Sequence, residues 1–391
     1  MTLHTKGLVN SIMSKRKQPH EHVAVRSDLF EVRPSLGKGL GIFALEDIPV
    51  GTRLISEDPV MIINGEDITH NDVLTAWREL SAHRQDQFLN LSQGKRSYAS
   101  THGSLLTVKL LDIYNNNCFA YAEDDDDSCI CLEASRLNHS CVPNAEHIWN
   151  AVTSQYDVYS IFPIPKGEEI TIAYVLAFGA MPTSERNEYM EGWNFTCSCK
   201  SCTPGDAKLK YDPTSRYGVE GIQAWTSGHS VHTVSDLRRV LIDKLYLALT
   251  DEKFSSTEPP VPEHNTDTIS AAETPFGWFL LTQLLEAEKL RGSNLAEAYH
   301  NAGWCILEHM ECHTLSDDDL HPAAVRNIKT LLRRSLELTK SFRAPGHPER
   351  TAILEKLDMM RSEPAKWKPD PTDDLVSFHV ACVQAFPGTL T

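Results

Sequence analysis

Residues 194–202, "NFTCSCKSC", place Cys197, Cys199 and Cys202 in a Cys-x-Cys-x2-Cys cluster. Three thiols this close supply most of a tetrahedral structural zinc site, which takes four ligands. The chain holds 10 cysteines in 391 residues, too sparse for a disulfide scaffold. It shows no hydrophobic run of secretion-signal type, so the thiols read as reduced and nuclear or cytosolic, with a subset on metal. Cys129 and Cys131, two apart in a strand-like run, share one face and read as core, and Cys118 sits in a similar run. Cys305, Cys312 and Cys382 fall among helical segments and read as core or surface thiols. Cys141 differs, lying in the polar knot "RLNHSCVPN" just before Val142-Pro143, where its sulfur can turn toward another segment. Spacing alone leaves a histidine or a water as alternative closers of the site.

Other residues have types suited to ligand binding or proton chemistry. Gly37 and Gly39 bracket Lys38 in "GKGLGIFA", and glycine lets backbone approach a ligand closely. Most such pairs mark only a turn. Asn138-His139 suits either a turn cap or a ligand contact. Tyr174 ends "GEEITIAY", sharing a face with Ile170 and Ile172. In isolation it is a core tyrosine as readily as a functional phenol.

The elements that carry these residues fall into two textures. From 28 to 64, short β-branched and aromatic runs broken by Gly and Pro predict strands, and strand texture returns in "CFAYA", "CICLEA", "YDVYSIFPI" and "EEITIAYV". The acidic "EDDDDS", 123–128, reads as the loop of a hairpin between the first two of these. Between the strand regions, 71–92 turns helical, with Val73, Leu74, Trp77, Leu80, Phe88 and Leu91 at helical spacing. After the cysteine cluster come polar linkers, 203–232 and 251–273, around one helix marked by Leu237, Val240, Leu241, Leu245 and Leu249. The remainder is helical. Starts near 275, 294, 322 and 348 are punctuated by Thr274-Pro275, Asn294 with Glu297, His321-Pro322 and His347-Pro348.

In order, "GKGLGIFA", "NCF" (117–119), "RLNHSCVPN" and "GEEITIAY" resemble the motifs of the SET-domain lysine methyltransferases, and specifically the branch that also carries a MYND zinc finger. The resemblance covers about 28–203. It implies an α+β chain: a mainly-β SET domain with a pseudoknot (25–180) and a helical insert (about 66–108). A post-SET zinc segment (181–205) follows. The chain's own texture adds a flexible tail (1–24), a linker with one helix (206–273) and an all-α, TPR-like domain of helical hairpins (274–391), which resembles the branch's C-terminal helical-repeat domain more loosely. The resemblance also implies S-adenosylmethionine at Gly37, Lys38, Gly39, Leu40, Asn117, Asn138, His139, Tyr174 and Phe195, with Tyr174 catalytic. Trp193 and Phe195 would line the lysine channel, Trp193 standing where relatives often have tyrosine. One structural zinc would sit on Cys141, Cys197, Cys199 and Cys202. No cysteine lies between 64 and 110, where the MYND finger of relatives would interrupt the chain.

The net charge of -16 disfavours phosphate-driven nucleic-acid binding and suits a basic partner, so the expected substrate is a basic polypeptide, histone or not. No apolar stretch reaches the roughly 18 residues of a membrane span. "KRK" at 15–17 lies in a tail that reads as solvated, a presequence or weak nuclear signal sharing its features. The expected compartment is the nucleus, the cytoplasm or both. Loss of a channel hydroxyl at Trp193 keeps a second function class in view: a weakly active or inactive SET scaffold whose C-terminal helices bind protein partners.

Overall fold

The computed structural model describes residues 24–25, 28–65, 67–94, 104–121, 124–175, 179–193, 195–203, 233–250, 274–312, 322–343 and 346–362. The basic N-terminal run, Asn194, the linker stretches 204–232 and 251–273, and Cys382 lie outside them.

The strands are β1 Ala24–Val25, β2 Phe30–Ser35, β3 Gly39–Ala44, β4 Arg53–Glu57, β5 Met61–Ile63, β6 Phe119–Tyr121, β7 Asp124–Ile130, β8 Asn138–His139, β9 Ala145–Asn150, β10 Gln155–Ser160 and β11 Glu169–Ile172. They form sheets of order β1-β4-β10-β9, β2-β3-β11-β8 and β5-β7-β6. All pairings are antiparallel except β8 with β11, which run parallel with Asn138 opposite Thr171 and His139 opposite Ile172. That one parallel contact sets two distant motifs side by side. β6 and β7 form the expected hairpin, but Asp124–Asp127 belong to strand β7 rather than to its loop.

The insert is helical: α1 His70–Arg78, α2 Ala82–Leu89 and α3 Leu105–Asn117. Thr69 and Asp72 close a capping box on α1, and Ser81 caps α2. Val73, Phe88 and Leu91 are buried, with Leu74, Trp77 and Leu80 packed around them. α3 carries the helical insert past its expected end at 108. It also takes Asn117 out of the strand expected there and leaves Cys118 exposed at the helix end. A run of asparagines reads as a turn, yet here Asn117 donates back to the carbonyl of Ile113 at 2.7 Å and finishes the helix. Cys129 and Cys131 are fully buried, as expected for core.

α4 Thr183–Met190 leads to the cysteine segment, and α5 Val234–Thr250, α6 Thr274–Ala287, α7 Ser293–Cys312, α8 Pro322–Phe342 and α9 Pro348–Ser362 follow. The starts of α6 to α9 match the Pro and Asn punctuation. Ile328, Leu332 and Leu336 of α8 are buried, and Trp278, Phe279, Tyr299 and Phe342 share their core. α5 packs into this body rather than forming part of a linker. Its buried positions are Ser235, Asp236, Arg239, Val240 and Ile242, with Arg239 pairing there with Glu288; of the expected stripe Val240 is buried, and Leu245 and Leu249 pack half-buried against the core. Tyr159 and Ala180 belong to the same apolar cluster, so the helices and the sheets share a boundary. Among the described residues, no helix is long and apolar enough to cross a membrane.

Candidate functional site

The β2–β3 hairpin turns through Gly37 and Gly39, at φ +76 and +79, with open space where a side chain would stand. Positive φ is what glycine tolerates without strain. Lys38 reaches from that turn to Glu169 Oε2 at 3.2 Å and to the carbonyl of His139 at 3.5 Å. The other oxygen of Glu169 accepts from the Asn138 amide at 2.7 Å, and that amide also donates to the carbonyl of Leu40 at 3.0 Å. Glu169 therefore locks together the three segments expected to meet a cofactor. Gly41 lies under this junction: a Cβ there would come within 2.4 Å of Glu169 Oε1 and 2.7 Å of Asn138 Nδ2. Neither Glu169 nor Gly41 stood out in the sequence. The signal available was one glutamate in "GEEITIAY" and one glycine beyond the first pair.

Tyr174 follows β11 and packs half-buried on the same core as Ile170 and Ile172. Its hydroxyl donates to the carbonyl of Leu137 at 3.0 Å. Burial pushes its pKa above the ordinary tyrosine value, so the phenol stays protonated near neutrality. The rings of His139, Trp193 and Phe195 stand 5.3, 5.6 and 6.4 Å from that of Tyr174, Phe195 edge-on. These aromatics make a wall around one hydroxyl. The Asn117 amide donates to the carbonyls of Ser92 and Ile113, both at 2.7 Å, and its own carbonyl accepts from Ser135 Oγ at 3.1 Å.

The structure brings Cys141 to Cys197, Cys199 and Cys202, with all four sulfurs within 4.8 Å of one another. Cys141 Sγ lies 3.8 Å from that of Cys197 and 3.5 Å from that of Cys202. Disulfide sulfurs would sit about 2.05 Å apart. A tetrahedron with Zn–S bonds of about 2.3 Å spaces its sulfurs about 3.8 Å apart, so the donor set fits a metal of that kind. Hydrogen bonding within the cluster lowers the pKa of Cys199 and of Cys202, the latter to about 7, and raises those of Cys141 and Cys197, so the four thiols share their protons as one set.

Two side chains tie the cluster to its surroundings. His139 Nε2 lies 3.2 Å from Cys141 Sγ, while its Nδ1 accepts from the backbone N–H of Tyr174 at 3.2 Å. Arg186, fully buried on α4, donates to Cys202 Sγ at 3.4 Å. Beyond it, Arg239 donates to Ser201 Oγ at 2.9 Å and pairs with Glu288 at 3.1 Å.

Comparison with known proteins finds similarity over part of the chain. Residues 39–175 match the family model described as SET domain. Histone-lysine N-methyltransferase set5 of Schizosaccharomyces pombe is 28% identical over 184 residues, 47% of this chain and 53% of its own length. A SET and MYND domain-containing protein of Dictyostelium discoideum is 32% identical over 27% of this chain and 25% of its own. Histone-lysine N-methyltransferase SET5 of Scheffersomyces stipitis is 37% identical over 22% of this chain and 18% of its own. The chain thus spans about half the length of the fission-yeast relative.

Proposed function

We propose that the chain is an S-adenosylmethionine-dependent protein-lysine N-methyltransferase acting on a basic polypeptide. The observation that carries this is the junction of Lys38, Glu169 and Asn138 beside the Tyr174 aromatic wall, inside a segment that matches the SET domain. The relatives named as histone-lysine N-methyltransferases, and a net charge of -16, support a basic substrate and a nuclear role.

The cofactor supplies a methyl group already activated on its sulfonium; the residues of the chain have only to position, desolvate and hold. Gly37, Lys38, Gly39 and Leu40 would hold its amino-acid end, Lys38 offering its ammonium to the carboxylate. Asn138, His139 and Phe195 would hold the adenosine. Tyr174, protonated and fixed by Leu137, orients the reacting amine by its hydroxyl oxygen. The incoming lysine must be neutral to attack, and a water-poor aromatic channel disfavours its charged form. Trp193 and Phe195 can hold the alkyl stem by packing, and the ammonium before deprotonation by cation–π attraction. Zinc on the four cysteines is structural in this reading and fixes Phe195 through the chain that follows it.

Calorimetric titration of the zinc-loaded protein with S-adenosylmethionine and its demethylated product tests the cofactor site, with Trp193→Tyr in parallel. Micromolar binding is expected for both proteins. A folded, zinc-containing protein that binds neither compound would move the function to the scaffold reading and its C-terminal helices.

A further inference from the structure

Arg186 on α4 is fully buried, and its guanidinium group faces the thiol cluster. Nη1 donates to the carbonyl of Met181 at 2.5 Å. Nη2 reaches Thr183 Oγ1 at 3.1 Å and the carbonyl and hydroxyl oxygens of Ser201, both at 3.4 Å. Those acceptors are neutral. The remaining acceptor among the described residues is Cys202 Sγ, at 3.4 Å. An arginine cannot shed its proton, and a charge taken out of water is costly unless an opposite charge stands beside it. Thiolates supply one: cysteine binds zinc in that form, and four thiolates on one divalent ion leave negative charge in excess. With the cluster metal-bound, the Arg186–Cys202 contact is a charge-assisted hydrogen bond.

The same charge reaches the helical body. Ser201 Oγ accepts from Arg186 and, at 2.9 Å, from Nη2 of Arg239 on α5. Arg239 is fully buried too, and its Nη1 donates to the carbonyl of Gly179 at 3.3 Å. Two guanidinium groups converging on one hydroxyl repel each other, and burial strengthens the repulsion. Glu288, just beyond α6, offsets it from one side, pairing with Arg239 Nε at 3.1 Å and with the half-exposed Arg238 at 3.2 Å. The cysteine sulfurs stand on the other side. Asp236, also buried on α5, accepts from the backbone N–H groups of Thr183 and Thr233 at 2.8 and 2.9 Å. That tie between α4 and α5 involves no sulfur.

We infer that Arg186 makes the docking of the C-terminal helices conditional on zinc. With the four cysteines held as thiolates, their charge offsets the two guanidinium groups and α5 seats firmly against the cysteine segment. Without the metal that seat loosens. Arg186 is a positioning residue in this scheme: it passes the state of the cluster to α5 through Ser201. The inference rests on the zinc reading of the four cysteines and not on the transfer reaction.

The test is hydrogen exchange by mass spectrometry on the full chain, zinc-loaded and after stripping with EDTA. Stripping should speed exchange in α5 at least about tenfold, while α3 and the β5-β7-β6 sheet, which hold no part of the cluster, change less than about twofold. Arg186→Met should cut the zinc dependence of α5 to less than about twofold. Linkage adds a second readout, because what zinc does for docking, docking does for zinc. Arg239→Gln leaves the four sulfurs and Arg186 in place, yet should weaken zinc binding at least about threefold against a chromophoric chelator. Exchange in wild-type α5 that ignores zinc would overturn the inference, as would equal acceleration of α5 and α3. So would an Arg186→Met protein that keeps the full zinc dependence. If Arg186→Met does not fold, the Arg239→Gln affinity decides, and a wild-type value there overturns the inference. A folded wild-type protein that takes up no zinc by metal analysis would instead remove the zinc reading, and this inference with it.

Discussion

His139 joins two chemistries that lie far apart in the chain. A backbone N–H can only donate, so the bond from Tyr174 fixes Nδ1 as an acceptor and puts the ring proton on Nε2, facing Cys141 Sγ. Burial pushes the imidazole pKa down to about 3, so the ring stays neutral at working pH. An N–H aimed at a thiolate stabilises its charge and orients it, as the outer hydrogen bonds of metal sites generally do. His139→Ala should therefore weaken zinc binding by about 10–100-fold in competition with a chromophoric chelator. Wild-type affinity in that variant would show the contact to be incidental. Cys141→Ser removes a ligand outright and should leave less than one zinc per chain by metal analysis, with a less stable fold. Full metal content would mean that another residue closes the tetrahedron.

At the scale of elements, the turn leading into β8 is held by a buried acid. Glu57, 1% exposed at the end of β4, accepts from the backbone N–H groups of Glu133 and Ala134 at 3.1 Å, where the 3-10 turn Ala134–Arg136 begins. Burial is the main cause that raises its pKa from 4.5 to about 7. Between those values the native protein holds more protons than the unfolded chain, so stability falls as pH rises, by up to about 3 kcal/mol. Glu57→Gln should flatten the fall across that window in denaturant titrations; an unchanged slope would assign it to other groups. This contact, and the Lys38–Glu169–Asn138 junction, could not be read in advance. They join residues 76, 131 and 31 positions apart, and an isolated glutamate in a strand-like run looks solvent-facing. Local signals were legible where chemistry is local, as in the prolines opening α6, α8 and α9 and the paired Cys129 and Cys131. The end of α3 was not legible, because asparagines favour turns unless their side chains find carbonyls such as those of Ser92 and Ile113.

Across the whole molecule, the polar seam from Cys202 through Arg186, Ser201 and Arg239 to Glu288 connects the thiol cluster with the C-terminal helices. The Arg239 side chain is 0% exposed and that of Glu288 5%, and Ser235 and Arg238 also bond to Glu288. Breaking one partner of a buried pair leaves an uncompensated charge, which costs about 3–5 kcal/mol. Glu288→Gln should lower stability by that order in chemical unfolding, with sheets and helices unfolding in one transition in the wild type. A change within about 0.5 kcal/mol would mean that the arginines find other partners. A second link lies at the start of α7, where Ser293 donates to Glu146 of β9 through its backbone N–H at 3.2 Å and its hydroxyl at 2.6 Å. Through these contacts the helical body is built onto the sheets that carry Tyr174.

The most direct measurement is methyl transfer itself. Zinc-loaded wild-type and Tyr174→Phe proteins are incubated with isotopically labelled S-adenosylmethionine and a mixture of basic polypeptides, and the products are sequenced by mass spectrometry. The account predicts labelled methyl-lysine from the wild type, and at least about a hundredfold less from Tyr174→Phe with cofactor affinity within a few-fold. Equal transfer by the two proteins, or label on a residue other than lysine, would contradict it.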